Sequence, residues 1–111
     1  ALLAVALSGC VIVEHEDADL TFFWTFEGRD CIDAGVRETV VEIFDGSHLL
    51  TRDYVPCDAH GVTLEDFEPG TYDWVLSGVS PSGRVLYEAA GYVRARSGDN
   101  ITNVDLRFVG W

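Results

Sequence analysis

Between Leu20 and Glu27 apolar and polar residues take turns: Leu20, Phe22, Trp24 and Phe26 fall on one face, Thr21, Thr25 and Glu27 on the other. Successive side chains of a strand point to opposite faces, so this period of two writes a strand with one buried side and does not fit a helix. Only Phe23 breaks the alternation. The same rhythm returns near the other end of the chain, where Thr102, Val104, Leu106 and Phe108 face in against Asn103, Asp105 and Arg107. Composition agrees with this pattern: the helix-favouring Lys, Met and Gln are absent, while Val, Leu, Phe, Tyr and Trp are plentiful and Gly occurs 11 times. A chain of 111 residues is one small domain with little burial to spare, so any covalent staple would matter.

Turn chemistry divides the rest into further strands. Gly28 to Gly35 is a polar, glycine-bounded loop, and residues 36–44 form a second strand whose inward face is Val41 and Ile43. Asp45-Gly46-Ser47 supplies a hairpin turn into a third strand over residues 48–55, because Gly takes positive φ and Asp bonds neighbouring backbone. Pro56 ends that strand, since proline cannot donate to a ladder, and Val62-Thr63-Leu64 is a short fourth. Phe67-Glu68-Pro69-Gly70-Thr71-Tyr72 turns the chain into a fifth strand with Tyr72, Trp74 and Leu76 on one face. Ser80-Pro81-Ser82-Gly83 is the next turn, residues 85–94 the sixth strand, and Ser97-Gly98-Asp99-Asn100 a hairpin turn into the seventh. Seven short strands of this kind predict an all-β, antiparallel sandwich, prealbumin-like or immunoglobulin-like.

An apolar residue followed by Pro-Gly-Thr-Tyr at a strand opening resembles the prealbumin-like sandwiches of the carboxypeptidase-regulatory and Cna-B type. In those domains the turn delivers a tyrosine into the core. The resemblance spans roughly residues 20–108 and speaks to fold far more than to function.

Ahead of the domain stands an apolar run, Ala1 to Leu7, followed by Ser8, Gly9 and Cys10. The run is too short for a spanning helix, which needs about 20 apolar residues, and suits the apolar region of an export signal. It opens on Ala without a basic segment, which implies that residues are missing before Ala1. Leu7-Ser8-Gly9-Cys10 resembles the lipobox of bacterial lipoproteins: Leu three positions before the cysteine, then two small residues, then the cysteine. The resemblance implies diacylglycerol on the Cys10 thiol, cleavage just before it and an acylated new amino terminus. Each buried CH₂ adds about 0.8 kcal/mol, so several acyl chains anchor stably. Residues 1–9 would then be a cleaved signal remnant, residues 10–19 a lipidated tether made acidic by Glu14, Glu16, Asp17 and Asp19, and residues 20–111 the sandwich. Val11, where enterobacterial lipoproteins retained in the inner membrane carry Asp, points to the outer membrane.

Cys31 and Cys57 remain. With Cys10 set aside for lipid the odd count becomes a pair, and an exported chain is where a pair oxidises. A bridge closes a loop of about 26 residues, for which the chain-entropy model gives roughly 3.5 kcal/mol.

Nineteen acidic residues against seven arginines give a formal charge of −12, which repels phosphate backbones and rules against a nucleic-acid partner. Signals for catalysis are thin. His15, His48 and His60 lie apart, and Gly78-Val79-Ser80-Pro81-Ser82-Gly83 reads as a turn rather than a serine nucleophile, because it contains Pro81 and no helix follows it. No cofactor or metal is expected; Glu65, Asp66 and Glu68 lack the spacing of a calcium loop. The candidate ligand contacts are the aromatics that alternation does not assign to the core: Phe23, Tyr54, Tyr87, Tyr92 and Trp111. The expectation is a non-enzymatic, membrane-anchored envelope module that meets a protein or polysaccharide partner, with carbohydrate or calcium binding as the alternative.

Overall fold

The computed structural model describes residues 17–110, and the fold is all-β. Seven strands run in order: β1 (Ala18–Phe26), β2 (Glu38–Asp45), β3 (His48–Pro56), β4 (Gly61–Phe67), β5 (Gly70–Val79), β6 (Val85–Ala95) and β7 (Gly98–Phe108). They are hydrogen-bonded in the order β3-β2-β5-β6-β7-β1-β4. The β6–β7 pairing consists only of Tyr87 opposite Phe108 and Glu88 opposite Arg107. That narrow seam divides the order into a four-stranded sheet, β3-β2-β5-β6, and a three-stranded one, β7-β1-β4. All pairings are antiparallel except β1 with β7, which run parallel over their whole shared length.

The two sheets face each other across one core. From the three-stranded sheet come Leu20, Phe22, Trp24, Phe26, Leu64, Val104 and Leu106; from the other come Val41, Ile43, Tyr72, Trp74, Leu76 and Tyr87. Aromatic edges close the gap between them, Phe22 meeting Trp74 at 5.7 Å and Phe26 meeting Tyr87 at 5.2 Å, both edge to face. Two glycines make room: a Cβ at Gly91 would lie 2.6 Å from the Trp74 ring, and one at Gly78 would lie 2.8 Å from the Phe26 ring. Thr39 is fully buried, and its hydroxyl, like the indole N–H groups of Trp24 and Trp74, has no hydrogen-bond partner among the described residues.

Strands from opposite sheets are joined by four crossings, two at each end. At one end β1 passes to β2 through residues 27–37 and β3 passes to β4 through a 3-10 turn, Cys57–Ala59. At the other end β4 passes to β5 through Glu68 and Pro69, and β6 passes to β7 through Arg96 and Ser97. The first end carries the Cys31–Cys57 disulfide, with Cα atoms 5.8 Å apart. We call it the stapled end and its opposite the open end.

Several sequence expectations change here. The first described strand starts at Ala18, fully buried and paired with Gly98, two residues ahead of the Leu20 at which the alternation opens. The polar loop before β2 contains a one-turn helix, α1 (Cys31–Ala34). It forms because Asp30 caps the N–H of Asp33 and Gly35 takes the left-handed conformation that ends it. The fourth strand is longer than Val62 to Leu64, since Ala18 pairs with Phe67 and Phe23 with Gly61. The largest correction concerns residues 97–100, expected as a hairpin turn. β6 and β7 do not pair beside it; the Asn100 side chain accepts the Arg96 N–H and donates to the carbonyls of Arg96, Gly98 and Asp19, which turns the chain across to β1.

Candidate binding surfaces

The stapled end is assembled from local turn chemistry. Phe26 and Arg29 exchange both backbone bonds, at 2.8 and 3.0 Å, around a two-residue turn in which Glu27 and Gly28 both have positive φ, 51° and 79°. Glu27 holds this conformation because its N–H donates to Leu106 and its carboxylate accepts the N–H of Phe108 at 2.9 Å. The turn aims Arg29 at the core aromatics, where its guanidinium donates to the Tyr87 hydroxyl at 2.6 Å. Cys31 and Cys57 are both buried beneath, so the bridge is part of the core edge and not a surface thiol pair. The expected disulfide is present.

The turn also positions Asp105. Its Oδ1 accepts from the Thr25 hydroxyl at 2.7 Å and from the Gly28 N–H at 2.9 Å, and these bonds hold the carboxyl below the usual carboxylate range. On the outer face of the three-stranded sheet Asp105 borders a shallow depression of about 200 Å³ lined by Phe23, Trp24, Thr25, Asn103 and Val104. Sequence reading missed this arrangement: Asp105 counted only as an outward polar residue, and nothing local marks it as Thr25's partner in a parallel strand.

Four of the five aromatic candidates lie among the described residues, and they separate. Phe23 is exposed on the outer face of the three-stranded sheet, its ring lying against Gly61. Tyr54 and Tyr92, 61% and 69% exposed, sit on the outer face of the other sheet. The register places Tyr54 in the row of Val40, Ser77 and Glu88, and Tyr92 in the row of Asp73 and Phe44. Three strand spacings and four residues of rise put the two tyrosines roughly 20 Å apart. Tyr87 is a correction: it is 2% exposed and packs between Phe26 and Phe108. Tyr87 and Tyr92 differ in parity along β6, so only one of them can face out, and the inward face is that of Tyr87 and Ala95. No two of the four share a site. Trp111, like Cys10, lies outside the described residues.

At the open end the Tyr72 hydroxyl donates to the backbone carbonyl of Glu68, and the Phe67 ring meets Tyr72 edge to face at 5.4 Å. The sequence Glu68-Pro69-Gly70-Thr71-Tyr72 thus closes on itself and delivers the ring inward. Burial, with the carboxylates of Glu68 and Asp45 adding to it, pushes the phenol up from its ordinary value. Arg52 and Glu42 form an ion pair at 2.8 Å across β3 and β2, which holds the guanidinium above its ordinary value.

Among the described residues no group of three or more His, Cys, Asp and Glu side chains could hold a metal ion. Among those residues no helix is long and apolar enough to cross a membrane. No family model, curated protein or solved structure matches the chain.

Proposed function

We propose that this chain is a bacterial lipoprotein whose acylated Cys10 tethers a non-enzymatic, prealbumin-like sandwich to the outer membrane, where the domain serves as a structural or protein-binding module of the cell envelope. The observation that carries the reading is the Cys31–Cys57 bridge. The sequence holds three cysteines, and the bridge uses two of them, which leaves Cys10 as the odd thiol at the end of Leu7-Ser8-Gly9. A buried disulfide also fits an oxidising compartment, which an export leader would reach. The strand order supports the prealbumin-like part: β3-β2-β5-β6 faces β7-β1-β4, with β1 parallel to β7 and Tyr72 delivered by a Pro-Gly turn.

The test is mass spectrometry of the protein extracted from membranes after expression from its complete reading frame, beside Cys10→Ala. The wild type should carry diacylglycerol and an acyl chain on a chain beginning at Cys10, and Cys10→Ala should leave the membrane fraction. An unmodified wild-type protein in the soluble fraction overturns the reading.

A further inference from the structure

The seam between the sheets leaves part of β7 without a neighbour. From Gly98 to Asp105 the strand has β1 on one side, and on its other side no strand among the described residues. Bonds at the far end of β7 show which backbone groups are left over. The carbonyl of Leu106 accepts from Glu27 and the N–H of Phe108 donates to the Glu27 carboxylate, so even-numbered residues turn their peptide groups toward β1. The N–H of Val109 donates to Leu86 at 2.7 Å, so odd-numbered residues turn theirs toward β6. Peptide groups alternate in direction along a strand. Before β6 comes within reach, the N–H and C=O groups of Ile101 and Asn103 therefore point out of the sheet edge.

Such an edge is a template for another strand, and proteins blunt it with lysine, proline or a bulge. This chain contains no lysine, and β7 contains neither proline nor a register shift against β1. Its side chains describe what would fit. Ile101 is 63% exposed, and diagonally across from it on the same outer face lies the exposed Phe23, register partner of Asn103. Asp99 and Asp105 stand at the two ends of the free stretch, and the shallow depression over Phe23, Thr25 and Asn103 runs to Asp105. A second copy brings a further −12 of charge to these two acids and is repelled by them.

We propose that the free edge of β7, residues 99–105, takes up an extended basic segment of a partner polypeptide as an added strand, with one long basic side chain laid across Phe23 toward Asp105. The backbone groups of Ile101 and Asn103 bond the incoming strand, the aliphatic stem of the basic residue covers the aromatic ring, and its charge meets a carboxylate already fixed by Thr25 and Gly28. The proposal rests on reading the domain as a binding module and is independent of the lipid on Cys10. Both experiments can therefore fail separately.

The test uses the Cys10→Ala chain with its disulfide intact, followed residue by residue by amide hydrogen exchange. In the free protein the amides of Ile101 and Asn103 should exchange at least about tenfold faster than those of Thr102 and Val104. A capped eight-residue peptide alternating Arg with Val should then slow Ile101 and Asn103 by about tenfold or more, and its affinity should weaken as salt is raised. The same peptide N-methylated on alternate amides, or with Glu in place of Arg, should bind at least about tenfold more weakly. The proposal is overturned if Ile101 and Asn103 are already protected in the free chain, or if their protection rises with protein concentration, which would seat a second copy on the edge. Failure of the Arg-Val peptide to bind, binding that spares these two amides, or equal binding of the N-methylated peptide also overturns it.

Discussion

The two ends of the sandwich solve the same problem, passing the chain twice between sheets, by different means. At the stapled end both crossings are tied to each other by Cys31–Cys57, and the seam is closed by Tyr87 against Phe108, with Arg29 bonded to the Tyr87 hydroxyl. At the open end the crossings are held by side-chain hydrogen bonds to backbone instead, from Tyr72 to Glu68 in one and from Asn100 to its own turn and to Asp19 in the other. Among the described residues β6 and β7 do not pair there. A small domain thus places its covalent reinforcement at one end and, among the described residues, leaves a strand edge unpaired at the other.

The contrast can be broken most forcefully inside the stapled end. Phe26→Ala removes the ring that fills the space over Gly78 and meets Tyr87, and it should cost about 3–5 kcal/mol in urea unfolding. A loss below about 1 kcal/mol would mean that the seam does not depend on this cluster. Next in size is the staple itself. Replacing Cys31 and Cys57 together by Ala opens a loop with a sequence separation of 26, for which chain entropy predicts a loss of about 3.5 kcal/mol. The midpoint should fall, and amides of residues 27–37 should lose protection before those of the core strands. An unchanged midpoint would show that side-chain packing alone holds this end.

The open end sharpens the comparison with smaller effects. Tyr72→Phe removes one hydroxyl-to-carbonyl bond and should cost about 1 kcal/mol near neutrality. The phenol's value is raised by burial, so its contribution is complete below about pH 10, the unfolded value, and is lost as pH climbs through the folded one. Tyr72→Phe should accordingly flatten the alkaline limb of the stability profile; an identical limb in both proteins would count against a buried Tyr72. The smallest effect belongs to Asp105. Its value is lowered by Thr25 and Gly28, so its contribution is complete above about pH 3.9 and fades as pH falls through the folded value. Asp105→Asn should leave stability nearly unchanged below that range and weaken it slightly above. A mutant profile parallel to wild type throughout would show the two bonds to be of no consequence in solution.

Much of the core was legible because alternation in a half-buried strand is a local signal. Leu20, Phe22, Trp24 and Phe26 alternate inward and are buried, as are Val41 and Ile43. Tyr72, Trp74 and Leu76 follow the same logic, anchored by the Pro-Gly turn before them. The candidate contacts were less legible. Tyr87 and Tyr92 carry no local mark of which strand face is buried once Leu86 breaks the simple alternation, and only the β5–β6 register, unbroken from Gly70 opposite Ala95 to Gly78 opposite Tyr87, sets Tyr87 on the inward face of Tyr72, Trp74 and Leu76. The hairpin expected at residues 97–100 failed for a related reason. Ser-Gly-Asp-Asn is good turn chemistry wherever the next strand goes, and the turn residues do not say which sheet will receive it.

Hydrophobic period, turn residues and cysteine count are properties of neighbours in the chain, so the sequence by itself determined that this protein is a small all-β domain with strands near their observed positions and Cys31 available to Cys57. Pairing between strands far apart in the chain was decided only by the tertiary structure. It set β1 parallel to β7, carried Ala18 into the core, brought Asp105 to Thr25 and Gly28, and parted β6 from β7 at the open end. The physical reason is that a strand's two faces are written in its own side chains, whereas its two edges carry the same N–H and C=O groups in every sequence. Which edge is covered, and which has no neighbour among the described residues at Ile101 and Asn103, depends on where the rest of the chain has gone.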